Sequence, residues 1–454
     1  MPRVPGGGAT RHRSDILAVS DEVAPPIGRL QRLRGAYYGW YLLAGSVVAM
    51  ALGSGVSFWS FGLYVEPLEA EFGWSRAEVS AGFSIGLLVS GLVGPMIGRA
   101  IDVRGPRVVI LVGAVLTALT YVLLATTATL WQWYLYSSIN AIFRQMMFFI
   151  PFQALVSRWF DRRRGVALSI LGSGFSLGGF VVVPVMGLVI EKVGWDGSFI
   201  FSGVAIAVVF LPIGFLLVKN APGDIGVMVD GDPAPADGQP PPPVGGIPLG
   251  RALRTPNFWL LAAALMLFFY GMFGWLVHQI PFYESEGMSR RTASLIVATA
   301  AGSGIVARLL FGIVADRIQR FEYAAIALAA TLFAALFTLL VNTGPLGIAI
   351  FLMFWIIGAS AGPMMEAMLL TRSFGVAHFA TILGAVVVVE TMGQILSPTI
   401  AGAIYDRTGS YDWALVMFIC TFTASAVLFT IASRLPRPYT PVTGRVERIV
   451  PDQG

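Results

Sequence analysis

The sequence is poor in the groups on which soluble enzymes and secreted scaffolds depend. Of 454 residues only 12% are charged, one is cysteine and three are histidine. A soluble domain carries about 25% charged residues, so a water-soluble enzyme of this length is excluded. Cys420 alone cannot build a disulfide framework, and with only His12, His278 and His378 beside it a Cys/His metal cluster is not expected. No P-loop supports an ATP-driven pump and no catalytic constellation supports an enzyme, so no cofactor is expected either. Lysine is almost missing, two residues against 28 arginines, and no Asn-x-Ser/Thr sequon occurs. Both absences suit a bacterial inner membrane. Residues 1–34 are polar and arginine-bearing, and the first apolar run is far too long for a signal core, so no cleavable leader is expected.

What is abundant is apolar surface: 56% hydrophobic residues and a mean hydropathy of +0.75. A hydrocarbon core about 30 Å thick needs about 20 apolar residues per helix. Such runs occur near 37–65, 79–97, 107–128, 132–157, 165–190 and 198–218, then near 257–282, 292–314, 323–341, 346–371, 379–404 and 412–433. In lipid every backbone group needs an internal partner, which makes these runs helices. A barrel would instead show short alternating segments. Between the sixth and seventh runs stand a Gly/Pro/Ala/Asp-rich stretch, Gly231 to Gly238, and four consecutive prolines, Pro240 to Pro243. That composition predicts a linker. The expected organisation is an N-terminal tail (1–36), a six-helix bundle (37–218), a Pro-rich linker (219–254), a second six-helix bundle (255–434) and a C-terminal tail (435–454).

With the N-terminus inside, cytoplasmic segments hold 23 of the 30 basic residues, external loops five and the spans two. The positive-inside bias therefore puts both termini and the linker in the cytoplasm. The net charge of +5 is a topology signal on this reading, and nucleic acid is not an expected partner; the bilayer is.

The two bundles repeat each other at a constant offset of 214. Gly73, Ser75, Arg76 and Ser80 match Gly287, Ser289, Arg290 and Ser294; Gly98 and Asp102 match Gly312 and Asp316; Arg158 and Phe160 match Arg372 and Phe374; Pro184 matches Pro398. Two six-helix halves related by a repeat, with a midplane site between them, is a transporter architecture.

The segment Gly98-Arg-Ala-Ile-Asp102-Val-Arg104-Gly105-Pro106-Arg107 resembles the loop motif of the major facilitator superfamily between helices two and three, with Val103 in place of a basic residue. Gly312-Ile-Val-Ala-Asp316-Arg317 is a shorter second copy. Tyr38-Gly39-Trp40, Phe61-Gly62-Leu63, Glu71-Phe72-Gly73-Trp74-Ser75, the run Trp159 to Ala167, Leu253 to Trp259 and the series Glu390, Gly393, Pro398, Gly402, Asp406 and Gly409 resemble the monocarboxylate transporters and bacterial oxalate/formate exchangers. The resemblance runs from about 37 to 430. It implies an all-α membrane protein of twelve helices in two pseudo-symmetric bundles, acting as a monomeric transport unit.

Four acidic or arginine side chains lie within spans: Arg144, Arg308, Glu366 and Glu390. A charge at mid-bilayer costs about 2.5–3.5 kcal/mol even on lenient scales, so these should face the interior. Their repeat mates, Gly358, Gly94, Phe152 and Ser176, are all uncharged, so the scaffold does not require them. In the resembled family the arginine at the place of Arg308 binds the substrate anion; a structural arginine held by Glu390 or by carbonyls is the alternative. Glu390, at similar depth, and His278 are candidates for proton coupling, although each is also compatible with simple packing. Arg144 is a candidate second anion contact, or an arginine satisfied by Asn140, Gln145 or a carbonyl. Asn140, Tyr64 and Tyr270 are candidate cavity residues. Asp102, Arg107, Asp316, Arg317 and Glu366 are candidate gate residues, bonding across the cytoplasmic face in one conformation only.

The family's usual aspartate one turn before the arginine is Gly304 here, its first-helix lysine is Trp59, and its second cation in helix eleven is Glu390. The expected activity is transport of a small organic carboxylate with proton coupling. Anion exchange, efflux of a larger amphipathic anion, and ligand sensing without turnover remain the alternatives.

Overall fold

The structure, a computed structural model, describes residues 37–233 and 245–439. The N-terminal tail, most of the C-terminal tail and the run Pro240 to Pro243 lie outside the described residues. Among the described residues nine helices are long and apolar enough to cross a membrane alone, and two further pairs, bent by 49° and 40°, complete broken spans. One of the nine, Arg164–Leu217, holds two spans, because Gly194 at φ 77° and ψ 173° turns the chain back on itself. Only glycine adopts that backbone without strain. The described residues thus contain twelve spans.

In the N-terminal half, span 1 is Tyr38–Ser57 continued by Gly62–Phe72, and span 2 is Arg76–Leu92 bent into Gly94–Arg104. Span 3 is Pro106–Ala125, span 4 is Leu130–Met147 with Phe149–Trp159, and span 5 begins as Arg164–Leu177. Val183–Pro212, divided at Gly194, supplies the rest of span 5 and most of span 6. In the C-terminal half, spans 7 to 9 are Pro256–Ser285, Arg290–Ala315 and Phe321–Val341. Span 10 is Pro345–Ser360 with Gly362–Phe374, and spans 11 and 12 are Phe379–Thr408 and Asp412–Arg434.

Local sequence explains the starts of these helices. Ser75 and Glu78 bond each other's backbone N–H in a capping box at the head of span 2, as do Thr129 and Gln132 at the head of span 4. Pro106, Pro256 and Pro345 open spans 3, 7 and 10, where a missing N–H costs nothing. Spans 1, 2, 4 and 10 are interrupted at Phe58, Val93, Phe148 and Ala361, and span 5 widens into a π turn at Gly178–Val182. Each interruption leaves carbonyls without their helical donors.

The segment between the halves is docked at both ends. Asp230 accepts hydrogen bonds from the backbone N–H groups of Asp161 and Arg162, before span 5. At the other end the Gly245 carbonyl accepts from the N–H groups of Val376 and Ala377, before span 11. These loops are equivalent under the repeat, and they define a linker side of the molecule.

The halves meet mainly through spans 2 and 11 and spans 5 and 8, while Gly62–Phe72 of span 1 and the Val183–Pro212 segment make no comparable packing with the C-terminal half. The molecule is closed on the linker side and splayed on the far side, where span 8 is the least buried of the apolar helices and Gly302 and Gly304 face open space. Closure requires small residues: a Cβ on Gly98 would stand 2.0 Å from the Ala380 carbonyl oxygen, and one on Gly94 2.7 Å from that of Gly384. We expect Gly98→Val to open the linker side. Thiol labelling of single-cysteine variants there should rise severalfold without loss of folded protein; unchanged labelling would contradict this packing.

Candidate functional site

Two aspartates lock the linker side, and each reaches from the end of one half to the head of a helix in the other. Asp102, at the end of span 2, accepts from the N–H groups of Ala380 (3.3 Å) and Thr381 (2.8 Å), from the Thr381 hydroxyl (2.6 Å) and from Arg158 Nη2 (3.3 Å). Asp316, at the end of span 8, accepts from the N–H groups of Gly165 and Val166 in the first turn of span 5. An anion at a helix N-terminus meets both free donors and the positive end of the helix dipole. Burial pushes the Asp316 carboxyl above the usual carboxylate range, against the lowering effect of its two N–H donors. A carboxyl with a higher pKa in the closed arrangement than when solvated takes up a proton on closing, so acid favours closure and alkali favours release.

The other expected gate residues stand elsewhere. Arg107 stays within its own half, donating from Nε to the Gly214 carbonyl (3.1 Å) and from Nη2 to that of Phe215 (2.8 Å), where the π turn Ile213–Leu217 leaves carbonyls to be capped. Arg317 is exposed and makes no side-chain hydrogen bond or ion pair among the described residues. The arginine that pairs with Asp102 is Arg158, and its repeat mate Arg372 caps the end of span 8 through the carbonyls of Ile318 and Gln319. The repeat match between Arg158 and Arg372 was the sequence signal for both.

Both arginines within spans, each half-buried, are held by broken helices. Arg308 donates from Nε to the carbonyl of Ser360 (2.6 Å), the last residue before the break in span 10, and from Nη1 to the Gly172 carbonyl and the Ser176 hydroxyl of span 5. It therefore bridges the two halves. Its Nη2 makes no hydrogen bond and no carboxylate lies within 4.0 Å among the described residues, so an ion pair with Glu390 is not what satisfies it. Arg144 donates from Nη1 to the carbonyl of Ser57 (3.1 Å), which ends the first segment of span 1. The partial negative charge at a helix C-terminus is the compensation in both cases.

Arg144, Asn140 and Tyr64 line one cavity within the N-terminal half. Tyr270 is elsewhere, packed between spans 11 and 12 with its hydroxyl 3.3 Å from the Met417 sulfur and its carbonyl accepting from Ser397. His278 is satisfied on both sides, by the Pro398 carbonyl at Nε2 (2.9 Å) and the Tyr411 hydroxyl at Nδ1 (3.3 Å). Both ring nitrogens thus have hydrogen-bonding partners within the C-terminal half.

Glu366 and Glu390 have exposures of 1% and 3%, and neither accepts a hydrogen bond or ion pair among the described residues. The two residues stand on spans 10 and 11, which pack against each other in the C-terminal half. Glu366 thus makes no bond between the halves among the described residues.

The profile of the Major Facilitator Superfamily matches residues 47–389. Human monocarboxylate transporter 11 is 28% identical over 402 residues, covering 84% of this chain and 80% of that protein. The oxalate:formate antiporter of Oxalobacter formigenes is 23% identical over 407 residues, covering 88% of this chain and 93% of the antiporter. Among solved structures, the E. coli fucose:proton symporter superposes with a TM-score of 0.64 at 13% identity, covering 87% of this chain and 98% of the symporter. A human organic anion transporter superposes with a TM-score of 0.62 at 14% identity, covering 87% and 99%. These likenesses, joined to the two six-helix halves and the paired aspartate locks, make the chain a member of the Major Facilitator Superfamily, a multi-pass membrane transporter and not an enzyme.

Proposed function

We propose that this transporter carries a small organic carboxylate by alternating access, coupled to a proton. The observation that carries the reading is the Arg308 guanidinium, which bridges the halves and keeps Nη2 unbonded. A carboxylate is the planar partner for Nη2 and for Nη1 once Nη1 gives up its bond to the Ser176 hydroxyl. Glu390, with Glu366 on the neighbouring span, is the proposed proton site: a buried carboxyl without an ion partner is least costly when neutral. The aspartate locks at Asp102 and Asp316 are the proposed gate, closed now and released when the linker side opens.

The positive-inside bias supports a cytoplasmic linker side, with the linker at 219–254 and the tails at 1–36 and 435–454 there. The bundles would then be 37–218 and 255–434, working as one monomeric unit. The relatives come from fungi, mammals and bacteria, so the arginine bias and missing sequons are what support a bacterial inner membrane. The oxalate:formate relative supports exchange as the second reading.

Reconstituted liposomes decide between these. We expect an inward proton gradient to drive accumulation of a labelled monocarboxylate severalfold above equilibrium. Uptake that requires internal carboxylate and ignores the gradient would replace symport with exchange. Saturable binding without flux would make the chain a sensor, and no response to any carboxylate would remove the substrate class.

A further inference from the structure

The cavity around Arg144 is not part of the interface between the halves. Its walls come from spans 1, 2, 3, 4 and 6, all in the N-terminal half, and include no acidic residue. Ser57, Tyr64, Tyr121, Ser137 and Asn140 give it polar edges around the guanidinium, with aromatic rings closing the remainder. The residues bonded to Arg308, namely Gly172, Ser176 and Ser360, are not among them.

The polar groups are under-used. A guanidinium has five N–H donors, and among the described residues Arg144 makes one hydrogen bond, to Ser57. Asn140 donates one N–H to the Thr120 hydroxyl (3.0 Å), keeping a second N–H, and the Ser137 hydroxyl makes no hydrogen bond among the described residues. The guanidinium keeps its full charge at any working pH, whereas a helix-end carbonyl supplies only a fraction of a negative charge. The chemistry of the lining therefore suits an anion.

Size selects the kind. The free space is about 50 Å³, and a water-sized group takes roughly 10–15 Å³ on this measure, so about four non-hydrogen atoms fit. That admits a halide with a water, formate or at most acetate, and excludes a larger carboxylic acid.

We infer that the N-terminal half contains a second anion site, centred on Arg144 with Ser137 and Asn140 as further donors, for a small monovalent anion of halide or formate size. It is separate from the Arg308 site and rests on this cavity alone, not on the carboxylate-transport reading.

The test uses purified full-length protein in detergent. Thermal unfolding is followed while sodium chloride or sodium formate replaces sodium gluconate at constant ionic strength. Chloride and formate should raise the midpoint of the wild type and of Arg308→Ala, and gluconate should not. Arg144→Gln should lose the response. The inference is overturned if the wild type shows no small-anion response, if Arg144→Gln keeps it, or if Arg308→Ala loses it equally, which would move the anion to the interface between the halves. Should Arg144→Gln not fold, Ser137→Leu keeps the charge and fills the space. It should weaken equilibrium binding of radiolabelled chloride by at least about tenfold, and unchanged binding would overturn the site as well.

Discussion

Replacing Arg308 with alanine should abolish carboxylate binding while leaving the protein folded. Hydrogen bonds to a charged group contribute about 1.5–3 kcal/mol each, so losing a fork made by Nη2 together with Nη1, once Nη1 exchanges the Ser176 hydroxyl for substrate, weakens affinity by about a hundredfold or more. Arg308→Lys keeps the charge without the planar fork and should retain a measurable but weakened affinity, at least about tenfold below the wild type. Both variants also release the Ser360 and Gly172 carbonyls from their donor. A thermal melt without ligand therefore has to accompany the titration, to separate lost binding from lost folding. Wild-type affinity in a folded Arg308→Ala protein would end the proposal that this residue holds the substrate.

The second large effect is expected at the carboxyl pair. Glu390→Gln removes the titratable group but keeps its shape, and it should reduce gradient-driven accumulation to the equilibrium level while leaving counterflow of labelled substrate intact. Glu366→Gln should shift the pH dependence of uptake, because it removes an acidic side chain from span 10, which packs against the span that carries Glu390. Neither change should lower the melting temperature much, since neither carboxyl has a hydrogen-bond partner to lose among the described residues. Uptake with an unaltered pH profile in both variants would show that the proton travels elsewhere or not at all.

The membrane-crossing plan was legible because it rests on properties that survive without coordinates. Span length follows from bilayer thickness, and the offset of 214 places Asp102 and Asp316 at equivalent helix ends. The structure confirms the spans and shows both aspartates bonding to the opposite half. The rotation of each helix about its axis was not legible. Arg107 and Arg158 are both basic residues near Asp102, and only packing decides that Arg107 turns to the end of span 6 while Arg158 reaches the carboxylate. Breaks within spans are partly signalled, since Pro95 and Pro363 open the segments that follow Val93 and Ala361. Nothing in the sequence announces that the Ser360 carbonyl is then taken by Arg308. The placement of Glu366 and Glu390 depends on how two neighbouring helices face each other, which single-sequence periodicity leaves undetermined in spans apolar on most sides.

The repeat also places Arg308 and Glu390 in relation to each other. Their mates are Gly94 and Ser176, and Ser176 is the hydroxyl that Arg308 holds. Glu390 is therefore the counterpart of a residue touched by Arg308, on the other side of the pseudo-two-fold axis, where Gly94 offers no side chain to meet it. Anion and proton sites would then stand at matching depth on different interfaces, one between spans 5 and 8 and the other beside spans 2 and 11.

The aspartate locks grip main-chain N–H groups at four positions, Ala380, Thr381, Gly165 and Val166. Donors of that kind cannot be lost by substitution, short of proline. Sequence drift in the surrounding loops can thus exchange one basic residue for another, or for Val103, without unfastening the closed side. The two aspartates, with the glycines that let the halves approach (Gly94, Gly98 and Gly165), are what this latch cannot exchange, so descendants of this chain should vary around them far more freely than at them.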